Sequence, residues 1–313
     1  MTKYEKHGAL HVNSKGKLVD HNGEVVTLHG YSTHGLSWYP EYVNREFFEF
    51  MQTEWKIDFV RLAMYTAEKD GYCVGDSNNR KTLLEVIDRG VRAATELGLY
   101  VIIDWHILED SNPLINMEAA KEFFDIVAEK YHAYGNVIYE ICNEPNVNCT
   151  WDDVKTYAEE IIPIIRKHTA YAVILVGTPK WSQCVDLATE NPIKIDKNIM
   201  YVLHFYADTH RDELRTVFEN AAQKGTPLFI SEFGCCDASG AGDNNFEEAD
   251  KWIALADKYD VSFAMWNISN RDETSASFYP TCDKLTGFEE KDMREACRWY
   301  VEVLRKHAAT EEK

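Results

Sequence analysis

The sequence predicts an α/β protein, a single (β/α)8 TIM barrel with a short N-terminal β-hairpin. Three observations lead there. Eight short runs rich in Val, Ile, Leu, Phe and Tyr recur along the 313 residues, as expected of strands buried on both faces. Helical apolar stripes fill the intervals between them. Polar and aromatic residues gather at the C-terminal ends of the runs, where a barrel of this kind assembles its site.

The first element, Leu10 to Val26, reads as a hairpin closing the barrel bottom, with turns at Lys15-Gly16-Lys17 and Asn22-Gly23. The strands then follow as Val25–Ser32, Phe59–Tyr65, Leu99–His106, Val137–Glu144, Ala172–Thr178, Met200–Tyr206, Pro227–Gly234 and Ser262–Ser269. Ile87, Val91 and Ala94 lie at helical spacing, as do Phe123, Phe124, Val127 and Tyr131. Val154, Ala158, Ile161, Ile162 and Ile165 form a third stripe. Met293, Cys297, Tyr300, Val301 and Leu304 form the last. The interval between strands five and six holds the shortest helical segment, from Trp181 to Thr189. Aromatics and Met on these stripes read as core packing. No Pro/Gly/Ser-rich linker divides the chain, so residues 1–313 read as one domain and Ala308 to Lys313 as a frayed end.

Composition narrows the function. The net charge is −19, from 52 acidic and 33 basic residues, which repels phosphate backbones and anionic lipid. A nucleic-acid or membrane-surface partner is therefore not expected. No run approaches the ~18 apolar residues of a membrane span. The start, Met1-Thr-Lys-Tyr-Glu-Lys-His7, lacks a signal-peptide core, as in a cytosolic protein or a mature or excised domain. The eight cysteines contain no C-x-x-C and read as free, partly buried thiols, with Cys235-Cys236 adjacent for no evident reason.

Two carboxylates occupy equivalent places. Glu144 ends the run Val137-Ile-Tyr-Glu-Ile-Cys-Asn-Glu144, and Glu232 ends Leu228-Phe-Ile-Ser-Glu232. A buried glutamate is costly unless paired or functional. Two of them at strand ends fit glycosidic bond cleavage, where one donates a proton and the other attacks or stabilises the sugar. Other strand ends add His34, Trp38 and Tyr39, then Arg61, Asp104, Trp105 and His106. Asn143, Trp181, His204, Tyr206, Trp266, Arg271 and Glu273 complete the set. Trp rings stack on the apolar faces of sugars while keeping an N–H available, so the aromatics point to a carbohydrate chain.

The combination Asn143-Glu144-Pro145, His204-Phe205-Tyr206, Glu232-Phe233-Gly234 and Trp266 resembles glycoside hydrolase family 5 of clan A. With His34-Gly35-Leu36-Ser37-Trp38-Tyr39, Asp104-Trp105-His106-Ile107-Leu108 and Trp181-Ser182-Gln183, it is similar to the bacterial endoglucanases of that family. The likeness runs from about Leu10 to the last helix. It implies a secreted, monomeric endo-β-1,4-glucanase that retains anomeric configuration, acts on a β-glucan chain and needs no cofactor or metal. Glu144 would be the acid/base and Glu232 the nucleophile, kept ionised by Arg61 and Tyr206. Asn143 would bind the sugar 2-hydroxyl, His106 and His204 would flank the site, and Trp266 would underlie the cleaved sugar. His34, Trp38, Tyr39, Arg271 and Glu273 would bind one side of the chain and Trp181 the other. Position 271 departs from the family, where Lys is usual, and Arg changes reach and geometry.

On that scheme the two carboxyls lie ~5–5.5 Å apart. Burial and the charge of Glu232 would raise the pKa of Glu144 so that it begins protonated. A metal-dependent hydrolase using His34, Asp104, His106 and His204 lacks clustered ligand spacing. A non-catalytic polysaccharide-binding barrel would tolerate loss of a carboxylate. The nearest competitor is the same chemistry on mannan, xyloglucan or xylan.

Overall fold

The computed structural model describes residues 1–311. Its strands are β1 (His11–Val12), β2 (Leu18–Val19), β3 (His29–Thr33), β4 (Phe59–Tyr65), β5 (Tyr100–His106) and β6 (Val137–Glu140). They continue with β7 (Ile174–Val176), β8 (Ile199–Val202), β9 (Phe205–Tyr206), β10 (Leu228–Gly234) and β11 (Phe263–Ile268). Strands β3, β4, β5, β6, β7, β8, β10 and β11 pair in parallel in that order, and β11 returns to β3 to close the cylinder. The short β9 adds to β10 at the C-terminal end. This is the eight-stranded parallel barrel expected from the sequence.

Two apolar layers hold it. Inside the barrel, Phe59, Tyr100, Ile102, Ile138, Leu175, Val202 and Phe229 meet Leu10, Leu18 and Val26 of the hairpin region in one buried cluster. Each fully buried large side chain contributes roughly 1.5–3 kcal/mol of transfer free energy. Outside, the helices lay their stripes on the strands: Leu83, Ile87 and Val91 from Ser77–Glu96, and Val154, Ile161 and Ile165 from Trp151–His168. Both helices have side-chain N-caps, Asp76 in the first and the Thr150/Asp153 capping box in the second.

Several sequence boundaries shift: strand five shortens to Ile174–Val176, and strand six divides into Ile199–Val202 and Phe205–Tyr206. The first barrel strand opens at His29, because Val25 pairs antiparallel with Val19 and belongs to the hairpin. Regular pairing of the fourth strand ends at Glu140, and Glu144 stands on the irregular segment beyond. The Trp181–Thr189 helix is broken: Lys180, Trp181 and Ser182 have φ of 57°, 55° and 55°, and a regular turn resumes only at Val185. The last helix runs Glu295–Glu311, so residues 308–311 are helical rather than frayed, while Glu312 and Lys313 lie outside the described residues. All eight cysteines are free thiols.

Candidate active site

Arg61 is the hub beneath the C-terminal mouth. It is fully buried in the middle of β4. Its Nε and Nη2 donate to the two oxygens of Glu140 at 2.8 and 3.1 Å. Its Nη2 also donates to Asn143 Oδ1 at 2.6 Å and lies 3.0 Å from Asp104 Oδ2. Its Nη1 donates to Glu232 Oε2 at 3.1 Å and to Ser32 Oγ at 3.2 Å. One guanidinium thus faces three carboxylates. Burial opposes its charge, but Asp104, Glu140 and Glu232 outweigh that and push its pKa further up. Burial pushes Asp104 and Glu140 to about 7, against the attraction of Arg61.

Glu232 sits in β10 with both oxygens bonded, the second accepting from the Tyr206 hydroxyl at 2.8 Å. Burial nevertheless raises its pKa, opposed by Arg61, His106 and the Tyr206 hydrogen bond. Desolvation is the largest influence, and Arg61 and Tyr206 work against it in favour of the anion. Glu144 is pushed well above the ordinary range, by burial first and then by the charge of Glu232. One ligand atom each from Glu144, His204 and Glu232 lies within 4.8 Å of the other two, so the two carboxylates face each other closely.

His204 joins the two halves of the site. Its Nδ1 is 2.9 Å from Glu144 Oε1 and its Nε2 is 2.9 Å from Ser231 Oγ. Ser231 in turn donates to Glu140 Oε1 at 2.8 Å. Burial, then Arg61, pushes His204 and His106 well below the ordinary histidine range, which favours their neutral forms. His106 Nδ1 meets Asp104 Oδ2 at 2.5 Å, and its ring lies 5.2 Å from that of Trp266 at 12°.

Local backbone chemistry fixes these positions. The left-handed Ser182 donates its hydroxyl to the Asn143 carbonyl at 2.6 Å and accepts the His204 N–H on its own carbonyl at 2.7 Å. Gly177 lets the strands approach there: a Cβ on it would sit 2.1 Å from the Cys142 carbonyl oxygen. Strain of this kind is stored at working sites.

The mouth is a cleft of about 730 Å³. Of the residues singled out from the sequence, His34, Trp38, His106, Glu144, Trp181, His204, Tyr206, Glu232, Trp266, Arg271 and Glu273 line it. Arg61 and Asn143 lie below it, fully buried. Tyr39 is not among the residues lining the cleft; its ring centroid lies 5.2 Å from that of His34. Burial, then Arg271, lowers the pKa of His34 to about 3. Arg271 is half-exposed and pairs with Glu273 at 2.8 Å. Trp181 stands at the rim, 43% exposed. Of the groups with ligand spacing among the described residues, the one in the cleft is Glu144, His204 and Glu232, not the set of His34, Asp104, His106 and His204 that the sequence spacing argues against. Both nitrogens of His204 there already have protein partners.

Sequence reading passed over Glu140, Ser231 and Glu68. Glu140 carried a signal, a lone charge inside the apolar run four residues before Glu144. Ser231 gave none. Glu68 lines the cleft with its carboxyl pushed up to about 7 by burial.

Comparison with known proteins follows the same lines. Residues 19–272 match the family model for cellulase (glycosyl hydrolase family 5). Endoglucanase A of Butyrivibrio fibrisolvens is 46% identical over 303 residues, 96% of this chain and 70% of that protein. An endoglucanase of Clostridium saccharobutylicum is 41% identical over 88% of this chain and 61% of its own length. The chain therefore spans about three fifths to seven tenths of these relatives. Among solved structures, the catalytic domain of a Thermobifida fusca endoglucanase superposes with a TM-score of 0.91 at 34% identity, covering 97% of this chain and all of that one. A variant of that domain in complex with cellotetraose superposes with a TM-score of 0.89.

Proposed function

The chain belongs to glycosyl hydrolase family 5, the cellulases, and from that premise we propose that it is an endo-acting β-1,4-glucanase working by double displacement with retention. The observation that carries this reading is the facing pair Glu144 and Glu232, with oxygens no more than 4.8 Å apart. Inverting enzymes separate their carboxyls by about 6.5–9.5 Å to admit a water, and retaining ones by about 5–5.5 Å. Residues 1–313 serve as one catalytic barrel acting on a β-glucan chain as a monomer. A polymer substrate lies outside the cell, which supports a secreted enzyme. Among the described residues no helix is long and apolar enough to cross a membrane.

Glu232 attacks the anomeric carbon. Its two oxygens are held by Arg61 and Tyr206, which aim it and favour its anion. Glu144 protonates the departing oxygen. The hydrogen bonds behind it account for its proton. Glu140 receives two N–H bonds from Arg61, which favours the carboxylate, so the single Ser231 proton points at Glu140. Ser231 then accepts from His204 Nε2–H, which leaves Nδ1 as a lone pair. A lone pair 2.9 Å from Glu144 Oε1 wants a proton there. Once the glycosyl-enzyme forms, Glu232 is neutral, Glu144 becomes more acidic, and it takes a proton from water as general base. The cleft residues Trp38, Trp181 and Trp266 offer faces for successive sugars.

Reducing-sugar release from carboxymethylcellulose, barley β-glucan, glucomannan, xyloglucan and xylan tests the reading, with Glu232→Gln as the blank. Release from the first two, lost in the variant, is expected. Preference for mannan, xyloglucan or xylan would move the substrate and keep the chemistry. No release from any would leave a binding barrel.

A further inference from the structure

At the N-terminal end of the barrel, away from the cleft, three side chains from three elements converge. His29 opens β3, Asp257 lies near the end of the helix Phe246–Lys258, and His307 lies in the last helix, Glu295–Glu311. One ligand atom from each lies within 4.8 Å of the other two. His307 Nε2 is 2.8 Å from Asp257 Oδ1, and its Nδ1 is 2.9 Å from the Val303 carbonyl oxygen. The His29 and His307 ring centroids are 4.2 Å apart. On its other side, His29 Nδ1 lies 3.7 Å from Asp58 Oδ2.

A neutral imidazole has one N–H and one lone pair. The Val303 carbonyl can only accept, so it takes the Nδ1–H of His307. The Nε2 lone pair then faces the Asp257 carboxylate, and two acceptors at 2.8 Å need a cation or a proton between them. Asp58 Oδ2 accepts the His29 backbone N–H at 2.9 Å and lies 3.7 Å from its Nδ1, so a carboxylate borders one side of the His29 ring while His307 borders the other. Metal-binding histidines are held like this: the outer nitrogen donates to a carbonyl or carboxylate, which fixes the tautomer and turns the lone pair inward. We propose that His29, Asp257 and His307 form a site for zinc(II) or a similar divalent transition ion, a staple between the first barrel strand and the last two helices.

The donor set decides the class of ion. Two imidazoles and one carboxylate suit zinc, with water as a fourth ligand, whereas calcium and magnesium want oxygen throughout. Bonds of about 2.0–2.1 Å in a tetrahedron put neighbouring ligand atoms about 3.3 Å apart. The observed spacings, from 2.8 Å up to the 4.8 Å limit, bracket that value. Side-chain exposure grades from 4% at His29 through 20% at His307 to 45% at Asp257. The ion therefore enters from solvent, at the exposed Asp257 side chain. Asp257 and Asp58 supply the negative charge, the latter shared with Lys3 at 3.0 Å.

The test uses the full chain, stripped with a chelator and titrated with zinc chloride. Bound zinc is counted by elemental analysis and Tm is followed by calorimetry, for wild type, His307→Ala and Asp257→Asn. Wild type should bind one equivalent that both variants lack. Its Tm should rise on the order of 4 °C at zinc a hundredfold above Kd, with activity on carboxymethylcellulose unchanged. The zinc-free Tm of the exposed Asp257→Asn variant controls for folding. No zinc-dependent rise in wild type would overturn the proposal and leave a protonated His307–Asp257 ion pair. So would an equal rise in all three proteins, which would place zinc elsewhere.

Discussion

Replacing Ser231 with alanine removes one oxygen and should move one limb of a pH profile. The hydroxyl lies 2.9 Å from His204 Nε2 and 2.8 Å from Glu140 Oε1. Its loss strands no carboxylate, because Glu140 Oε1 keeps Arg61 Nη2 at 3.1 Å. The stability cost is therefore about 1–3 kcal/mol, two ordinary hydrogen bonds. What His204 loses is the partner that fixes its tautomer. It can then carry its proton on Nδ1 and donate to an ionised Glu144. A hydrogen bond to a charged acceptor contributes about 1.5–3 kcal/mol against about 1 for a neutral one, so the anion gains on the order of 1.4 kcal/mol, or one pH unit. A carboxyl with a lower pKa surrenders its proton earlier as pH rises. The alkaline limb of kcat/KM, which reports loss of the Glu144 proton, should therefore move down by about one unit. The acidic limb, which reports Glu232, should stay. Ser231→Thr keeps a hydroxyl and should keep the wild-type profile. The assay is kcat/KM on a soluble cello-oligosaccharide from pH 4 to 9. An unmoved alkaline limb in Ser231→Ala, or an equal shift in Ser231→Thr, would refute the reasoning.

The other expectations concern the same cluster. Tyr206→Phe removes the 2.8 Å hydrogen bond to Glu232; the Glu232 pKa should rise further and carry the acidic limb of kcat/KM to higher pH by about one unit. Glu232→Gln should lose nearly all turnover on every substrate, while Glu144→Gln should retain the first step on aryl glycosides with good leaving groups, as burst kinetics would reveal. Arg61→Met leaves Asp104, Glu140 and Glu232 without their buried counter-charge. It should cost about 3–5 kcal/mol, read as a fall in the urea midpoint.

Much of this was legible in the chain. The barrel was readable because each strand is buried on both faces and so spells a continuous apolar run, as in Tyr100–His106. The ends of short elements were less so. Val25 looks like barrel strand but pairs back to Val19, a choice made by the turn at Asn22-Gly23 rather than by propensity. The helix expected from Trp181 is broken because Ser182 bonds to the Asn143 and His204 backbones, a tertiary demand that local pattern does not record. The two glutamates announced themselves as charges on apolar runs. The residues that set their protonation did not: Ser231 is one hydroxyl among many until the fold puts it between His204 and Glu140. Tyr39 sits in a motif with His34 and Trp38, yet it packs 5.2 Å from the His34 ring and does not line the cleft as they do, a distinction that the motif does not record.

The central claim is that Glu232 forms a covalent intermediate on one face of the sugar while Glu144 serves both steps from the opposite face, as acid and then as base. Proton NMR of cellotetraose during its first minutes with the enzyme tests it most directly, because the new reducing end keeps its configuration until mutarotation scrambles it. The account predicts that the β-anomer appears first and the α-anomer grows in later. An α-anomer at the outset would mean inversion and would contradict the roles given to both glutamates.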